Sequence, residues 1–503
     1  MTELTPSEYY SSKTARRKTY EDRAKLIAKL TLPYVIREIT DTATTTKTDT
    51  ANQSFGARLI NTLKAKMGMA LLPPATSSFK LEPDPQALEE LTGGNKNNIA
   101  KVAQTLSQAT DRINKELELQ QIRSTLFDLI VEMLIVGSVI VEKKPNEGIL
   151  LHKLQTFVAD LDPQGEPIKF CIKEKLPPEQ VPDNLQQHLD PKDEEDIDLY
   201  TMFDKKQDSK KWVMTQSIGT EPVGEEKTFK DYDSLPMRYF GWTWMTGDDY
   251  HRPYTEDYYN DLKQLDKLTK LLVDGSIVAA KTLLFVNERG GRTRKDEVAD
   301  SANGDVIDGV ADDVTALQLG KNYDFQIPMQ VAADLKKTLS SAFLMNESVT
   351  RDAERVTAQE IRFMAQELET SSLSGIYSKL ALQWSRWVVQ KVMDELKIKF
   401  DSIDVKILTG LDALGRSQEA QKLDSFIMRL AQLQMTHWIN EEELANRYAE
   451  FEGINTVNLL KTPAEVEAEM QKAQAMAAAQ QGDEALAQSA GQAAGQAAVA
   501  PQQ

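Results

Sequence analysis

Cysteine is nearly absent: the 503 residues include one, Cys171, which excludes an intrachain disulfide and any zinc centre built on paired cysteines. A lone thiol suits a reducing compartment, and the expected role of Cys171 is that of a small buried apolar side chain. Histidine is scarce too. His152, His188, His251 and His437 stand singly, so each is read as a packing or surface residue and no zinc spacing is available. Neither a GxxxxGK[ST] phosphate loop nor an HExxH helix occurs, which weighs against nucleotide-driven and metalloprotease chemistry.

Long apolar runs are missing as well. The most apolar stretch, LFDLIVEMLIVGSVIVE (Leu126 to Glu142), is interrupted by Asp128 and Glu132 and falls short of the roughly 18 to 20 residues that a membrane span needs. It reads as a helix stopped at Gly137 and followed by a strand. The opening MTELTPSEYYSSK has no basic start leading into an apolar core, so no secretory signal is expected, and the whole reads as a soluble protein. Positive charge is in deficit, with a net charge of −18. This argues against a protein whose whole surface grips nucleic acid, since such binding comes from Lys and Arg neutralising phosphates. It does not exclude a protein that DNA slides past.

What is present is an ordinary globular composition, 41% hydrophobic and 27% charged, enough for a substantial core. YEDRAKLIAKLTLPYV (Tyr20 to Val35) has helical spacing up to Pro33, and the threonine-rich stretch after it is a loop. SFGARLINTLKAKMGMALLPP places Leu59, Leu63, Met67 and Leu71 on one helical stripe and stops at Pro73 and Pro74, as an amphipathic helix against a core does. One or two further helices span Asn98 to Val136. From Ser138 to about Met245 the texture becomes β-rich (SVIVEKK, GILLHKL, IKFCIKEK, DLYTMF, KKWVMTQSI, MRYFGWTW), with turns at Pro145 to Gly148 and Asp162 to Gly165, which predicts a mostly antiparallel region.

A long helix follows from near Thr255, with Tyr258, Leu262, Leu265, Leu268 and Leu272 on one side. Beyond it a Gly-rich charged module ends in two predicted strands, VTALQL and YDFQIP, and a second helix runs from about Gln330 to Leu344. DLDPQGEPIKFC begins like a calcium loop but has Cys171 where a bidentate Glu is required, so it reads as a hairpin turn. The carboxylates Asp300, Asp305, Asp308, Asp312 and Asp313 cluster without that pattern and read as a solvated acidic loop.

The stretch RDAERVTAQEIRFMAQELET, Arg351 to Thr370, joins two textures. Its second half announces a helix, with Thr357 and Glu360 in capping-box spacing and Val356 placed to staple onto Ile361. The helix is expected to continue to about Lys397, bent at Ser371 to Gly375. The charged loop ahead of it resists burial. After the strand-like IKFDSIDVKIL come a turn and another helix, then an Ala/Gln-rich tail from Ala464 whose first half can be helical.

Four segments, FGARLINTLKAKMGMALLPP, YHRPYTEDYYNDLKQLDKL, AFLMNESVTRDAERVTAQEIRFMAQELE and ILTGLDALGRSQEAQKLD, together resemble, in order, matching stretches of the portal proteins of short-tailed bacteriophages, also called head-to-tail connectors. The likeness runs from about Tyr20 to Leu423. It implies an α+β, mainly α-helical portal fold with wing, stem, clip and crown regions, assembling as a ring, here with no enzymatic activity, no cofactor and no metal. The regions it implies are a wing over residues 1–253 and 357–414, stem helices over 254–281 and 326–344, a clip over 282–325, a tunnel loop over 345–356, and a crown with a flexible tail over 415–503.

The implied function is a dodecameric conduit at one capsid vertex for DNA packaging and genome ejection. Its implied partners are further copies of the chain, double-stranded DNA, the terminase large subunit, a tail adaptor protein, the major capsid protein and the scaffolding protein, with no membrane. The implied location is the virion head–tail junction, after assembly in the bacterial host cytoplasm. Asn346, Glu347, Arg351, Asp352, Glu354 and Arg355 then fall on the tunnel loop, and Lys336 and Lys337 become channel-lining candidates on the second stem helix. Mixed charge suits that place: Arg351 and Arg355 touch phosphates weakly while Asp352 and Glu354 limit the grip, because a site neutralising many phosphates would oppose sliding. Two other readings are a structural virion adaptor that binds only proteins and a metal-dependent hydrolase.

Overall fold

Why the chain begins in a helix is written in its first described residues. Thr5 accepts from Glu8 N while its own N–H donates to the Glu8 carboxylate, and Pro6 fills the first helical position, a capping box with a preset φ. The computed structural model describes residues 4–36, 50–73, 78–83, 96–144, 147–186, 196–206, 210–280, 283–286, 295–302, 314–317, 325–345, 358–398, 403–407 and 423–433, with single positions between 306 and 312 and between 435 and 448. Its principal helices are α1 (Pro6–Leu30), α2 (Phe55–Leu71), α3 (Lys96–Leu119), α4 (Ile122–Ile135), α5 (Tyr259–Ala280), α6 (Gln326–Ala342), α7 (Ala358–Thr370), α8 (Ser374–Leu380) and α9 (Arg386–Glu395).

Its strands are β1 (Phe79–Pro83), β2 (Ser138–Lys143), β3 (Ile149–His152), β4 (Phe157–Leu161), β5 (Pro167–Leu176), β6 (Ile197–Lys205), β7 (Trp212–Ile218), β8 (Glu221–Phe229), β9 (Met237–Gly241), β10 (Leu283–Val286), β11 (Val314–Leu317) and β12 (Ile403–Ile407). The chain divides into two units, residues 1–83 with 110–410, and residues 84–109 with 411–503.

The first unit is a stack of layers. Strands β4 to β8 form a five-stranded antiparallel sheet in sequence order. One face is covered by α1: Tyr9 and Tyr10 pack on Val158, Cys171, Tyr200 and Met202, and the Tyr9 hydroxyl donates to Asp160 at 3.1 Å. Cys171 is buried there, and burial pushes its thiol pKa up. The other face carries Phe170 stacked on Phe203 at 5.0 Å, beside Trp212, and meets a second sheet where Phe157 abuts Tyr239 at 6.1 Å.

That second sheet has the order β3-β2-β9. Alternation splits its side chains. Ile140 lies opposite Tyr239 on the face toward the five strands, whereas Val139 lies opposite Phe240 on the far face, where Phe240 packs on Trp384 and Trp387 of the α8–α9 layer at 5.7 and 6.4 Å. A π-helical stretch, Ala381–Ser385, joins α8 to α9.

Below these layers α2, α4 and α7 pack together around Leu59, Leu63, Met67, Leu126, Ile130 and Leu368, all fully buried. Gly137 ends α4 with φ +92°, and a Cβ there would lie 2.5 Å from His251 O. Only glycine combines that conformation with that approach.

Several expectations need correcting. The first helix starts at Pro6 rather than Tyr20 and stops at Leu30, ahead of Pro33. Of YDFQIP, Tyr323 and Asp324 lie outside the described residues, and the rest is not a strand: Gln326, Ile327 and Pro328 open α6, and Pro is tolerated in that first turn because its missing N–H has no helical partner there. The expected VTALQL strand exists as β11, the bend at Ser371 separates α7 from α8, and Gln121, with φ +52°, parts α3 from α4. Among the described residues no helix is long and apolar enough to cross a membrane.

In the second unit residues 423–432 are helical, and the Tyr448 hydroxyl donates to Asp424, which raises the tyrosine pKa. His188, His437 and the chain beyond 448 lie outside the described residues.

Candidate functional site

Helix α5 leaves the layered body through a 3-10 turn, Tyr254–Tyr258. The Tyr254 hydroxyl donates to Ala342 O at 2.8 Å, and the Tyr254 and Tyr258 rings lie 5.1 and 5.4 Å from Phe343. The start of α5 therefore meets the end of α6. At the opposite end, a Cβ on Gly275 would sit 2.4 Å from the ring of Phe325, so the end of α5 meets the start of α6. Together these contacts make α5 and α6 an antiparallel hairpin.

Toward its base Leu262, Leu265 and Leu339 are buried, as is Ala332 midway along it. Toward its far end, where β10 and β11 pair from Leu283↔Leu317 to Val286↔Val314, apolar side chains face solvent. Leu271, Val273 and Ile277 on α5 are 54, 52 and 54% exposed, and Ile327, Met329 and Val331 on α6 are 73, 60 and 42% exposed. Large apolar side chains gathered on one exposed end mark a surface meant to be covered. Lys336 and Lys337 are exposed on α6.

The base of the hairpin leads directly into the 346–357 segment. Helix α6 ends with Met345 N donating to Ser340 O at 2.7 Å and with Leu344 at φ +53°, a left-handed closure usually left to glycine. The Leu344 carbonyl accepts from Lys66 Nζ at 2.6 Å, and the same ammonium pairs with Glu367 of α7 at 2.6 Å. Lys66 is almost wholly enclosed, its side chain 4% exposed. One ammonium from α2 thus ties the last turn before the segment to the helix after it.

Asn346, Glu347, Arg351, Asp352, Glu354 and Arg355 themselves lie outside the described residues, as does Thr357; α7 begins at Ala358 and includes Glu360. Asp300, Asp308 and Asp312 of the acidic cluster are exposed, while Asp305 and Asp313 lie outside the described residues. Asp162 is a turn residue, its Oδ1 accepting from Gln164 N and Glu166 N at 2.9 Å each.

Lys66 did not emerge from the sequence reading, although its signal was there. It lies three residues after Leu63 and next to Met67, on the apolar stripe of α2, and a lysine on a buried stripe needs a partner.

This architecture is a layered α+β body bearing a long helical hairpin whose outer end leaves apolar side chains exposed. The profile of the family described as "Bacteriophage head to tail connecting protein" matches residues 7–459, and the chain belongs to that family. Among its relatives, the portal protein of Escherichia phage T7 is 29% identical over 94% of this chain and 91% of its own length. The portal protein of Enterobacteria phage T3 is 29% identical over 92% and 89%. Among solved structures, the neck of a native gene transfer agent particle, computed with C12 symmetry, is 12% identical with a TM-score of 0.37 over 80% of this chain and 90% of that one. The family is one of structural connectors. Neither a purely protein-binding adaptor nor a hydrolase is favoured.

Proposed function

We propose that twelve copies of the chain close into a ring at one capsid vertex and conduct double-stranded DNA into the head during packaging and out of it during ejection. The observation that carries this reading is the α5–α6 hairpin, a pair of helices whose outer end leaves six large apolar side chains uncovered. Neighbouring hairpins of a ring would cover that end, and membership of the connector family supports the same arrangement. In this reading α5 and α6 line the channel, residues 282–325 form the clip, and Lys336 and Lys337 stand near the DNA path.

Residues 345–356 form the tunnel loop, with Asn346, Glu347, Arg351, Asp352, Glu354 and Arg355 facing the duplex. The physical requirement is weak contact. A net charge of −18 keeps the backbone from settling, and two arginines offset by two acids per loop touch phosphates without holding them. The terminase large subunit would dock during packaging and a tail adaptor afterwards. The capsid and scaffolding proteins would surround the vertex, with assembly in the bacterial host cytoplasm.

Electron microscopy of the purified protein tests the ring. A closed assembly with a hole of roughly 20 Å or more, wide enough for a duplex, is expected; monomers under every condition, or an open filament, overturn the reading. Replacing Arg351 and Arg355 by Ala should leave the ring intact and alter packaging or retention of DNA. Unchanged packaging and retention would reduce the loop to a connector.

A further inference from the structure

Several enclosed carboxylates of the first unit are matched by lysines: Glu132 faces Lys153, Glu367 faces Lys66 and Glu395 faces Lys143. Burial of a carboxylate without such a partner is costly.

A cluster of a different kind lies between the two sheets. Glu142 on β2 and His152 on β3 project from the small sheet toward the five-stranded one, as strand alternation requires: His152 is opposite Ile140, and Glu142 lies two residues further along the same face. Glu174 on β5 reaches the same point from the other sheet. One ligand-type atom from each residue falls within 4.8 Å of the others, and a ring nitrogen of His152 lies 2.9 Å from Glu142 Oε2. His152 is buried, and the Glu142 side chain is only 13% exposed. Among the described residues no Lys or Arg pairs with Glu142 or Glu174. The two carboxylates are drawn from two different sheets and converge with one imidazole.

We propose that Glu142, His152 and Glu174 bind a divalent transition-metal ion of the zinc class, which fastens the two sheets together. A divalent cation cancels the two carboxylate charges while the imidazole coordinates as a neutral ligand. The mixed nitrogen and oxygen set favours zinc, cobalt or nickel over magnesium or calcium, which prefer oxygen alone. Zinc ligands at about 2.0–2.2 Å stand closer together than 4.8 Å, and side-chain rotations of the two glutamates bring them in. Three protein ligands leave one position of a four-coordinate ion for water. The role assigned is structural. Nothing in the sequence spacing discloses it, since the three residues lie on separate strands and only the packing of one sheet on the other gathers them.

The test uses the full-length protein stripped with a chelator and titrated with zinc, followed by calorimetry and thermal unfolding, with magnesium in a parallel arm. About one zinc per chain and a rise in melting temperature on zinc addition are expected, with no comparable response to magnesium. Both Glu174→Gln and His152→Gln should weaken zinc binding at least ~10-fold. Glu174→Gln changes a partly exposed side chain and keeps the test alive should His152→Gln fold poorly.

Cobalt in place of zinc should give a visible absorption band in the parent protein that both variants lose. Absence of zinc binding overturns the proposal, and so does zinc binding that Glu174→Gln leaves unchanged, since the ion would then sit elsewhere. The titration does not depend on whether the chain forms a ring, so its failure and that of the conduit reading are separable.

Discussion

The layered body and the α5–α6 hairpin belong to the same unit yet treat apolar side chains in opposite ways. In the body Phe157, Phe170, Phe203, Phe240, Trp384 and Trp387 are all buried, Phe157 in ring contact with Tyr239 and each of the others with another of the set. In the outer hairpin Leu271, Ile277 and Ile327 are more than half exposed. The body buries its large aromatic side chains against one another, although Leu26, Phe363 and Leu382 on its surface are also more than half exposed, whereas the outer hairpin leaves six large apolar side chains in solvent. Stability of the body and assembly through the hairpin should therefore respond to different substitutions.

The largest effect is expected inside the body. Trp384→Ala empties a site enclosed by Phe240 and Trp387 and should cost about 3–5 kcal/mol, read from denaturant unfolding. A loss below about 1 kcal/mol would place the core elsewhere.

Lys66→Met tests the junction between the two regions. Removing one member of a buried pair takes the enclosed ammonium away from Glu367 and should cost about 3 kcal/mol, most of it recovered when Glu367 is also replaced by Leu. Because Lys66 holds Leu344 O as well, the single variant should also speed proteolytic cleavage within residues 346–357. Unchanged cleavage would mean that the ammonium supports the core alone and does not restrain the segment.

A pH effect belongs to the body and should be absent from the hairpin. His251 lies against Tyr239 and Trp244, with its Nδ1 3.1 Å from the Tyr239 hydroxyl. Burial, and secondarily the positive charge of Lys379, lower its pKa from 6.5 to about 3. Between those values the unfolded chain binds a proton that the folded chain refuses, so stability falls as pH drops, by up to about 1.4 kcal/mol per pH unit.

Glu132, whose pKa is raised chiefly by burial, works in the opposite sense. Asp248, lowered by its hydrogen bond from Arg252, loses its contribution only as the pH falls below 3.8. His251→Asn keeps an acceptor for Tyr239 and should flatten the slope between pH 6 and pH 4 in urea titrations. An unaltered slope would assign the acid sensitivity to other groups.

How much of this was legible depended on whether the signal was local. The α2 stripe, the Gly137 stop and the Asp162 to Gly165 turn were read correctly, because spacing and backbone permissiveness are written in adjacent residues. Thr5-Pro6-Ser7-Glu8 carries an equally local signal. Strand β8, EPVGEEKTF, could not be read by alternation: it is an edge strand with most side chains exposed, and charge at a sheet edge serves to prevent further pairing. YDFQIP misled because its apolar alternation imitates a strand across the start of α6. The Lys66 clamp and the Glu142, His152, Glu174 cluster join residues far apart in sequence, and single-sequence spacing carries no information about such meetings.

The smallest effect on the folded chain is expected at the outer hairpin, and it is the sharpest test of the contrast. Leu271→Ser and Ile277→Ser alter side chains already in water, so denaturant midpoints of the isolated chain should move by no more than about 0.5 kcal/mol. The same changes should reduce the ring population in sedimentation measurements, and the double variant should reduce it further. Because the lost contacts are apolar, added salt should not restore assembly in the way it would for screened like charges. If both variants assemble as the parent does, the exposed stripe is not what joins the copies. The hairpin's uncovered leucines and isoleucines would then need a different partner.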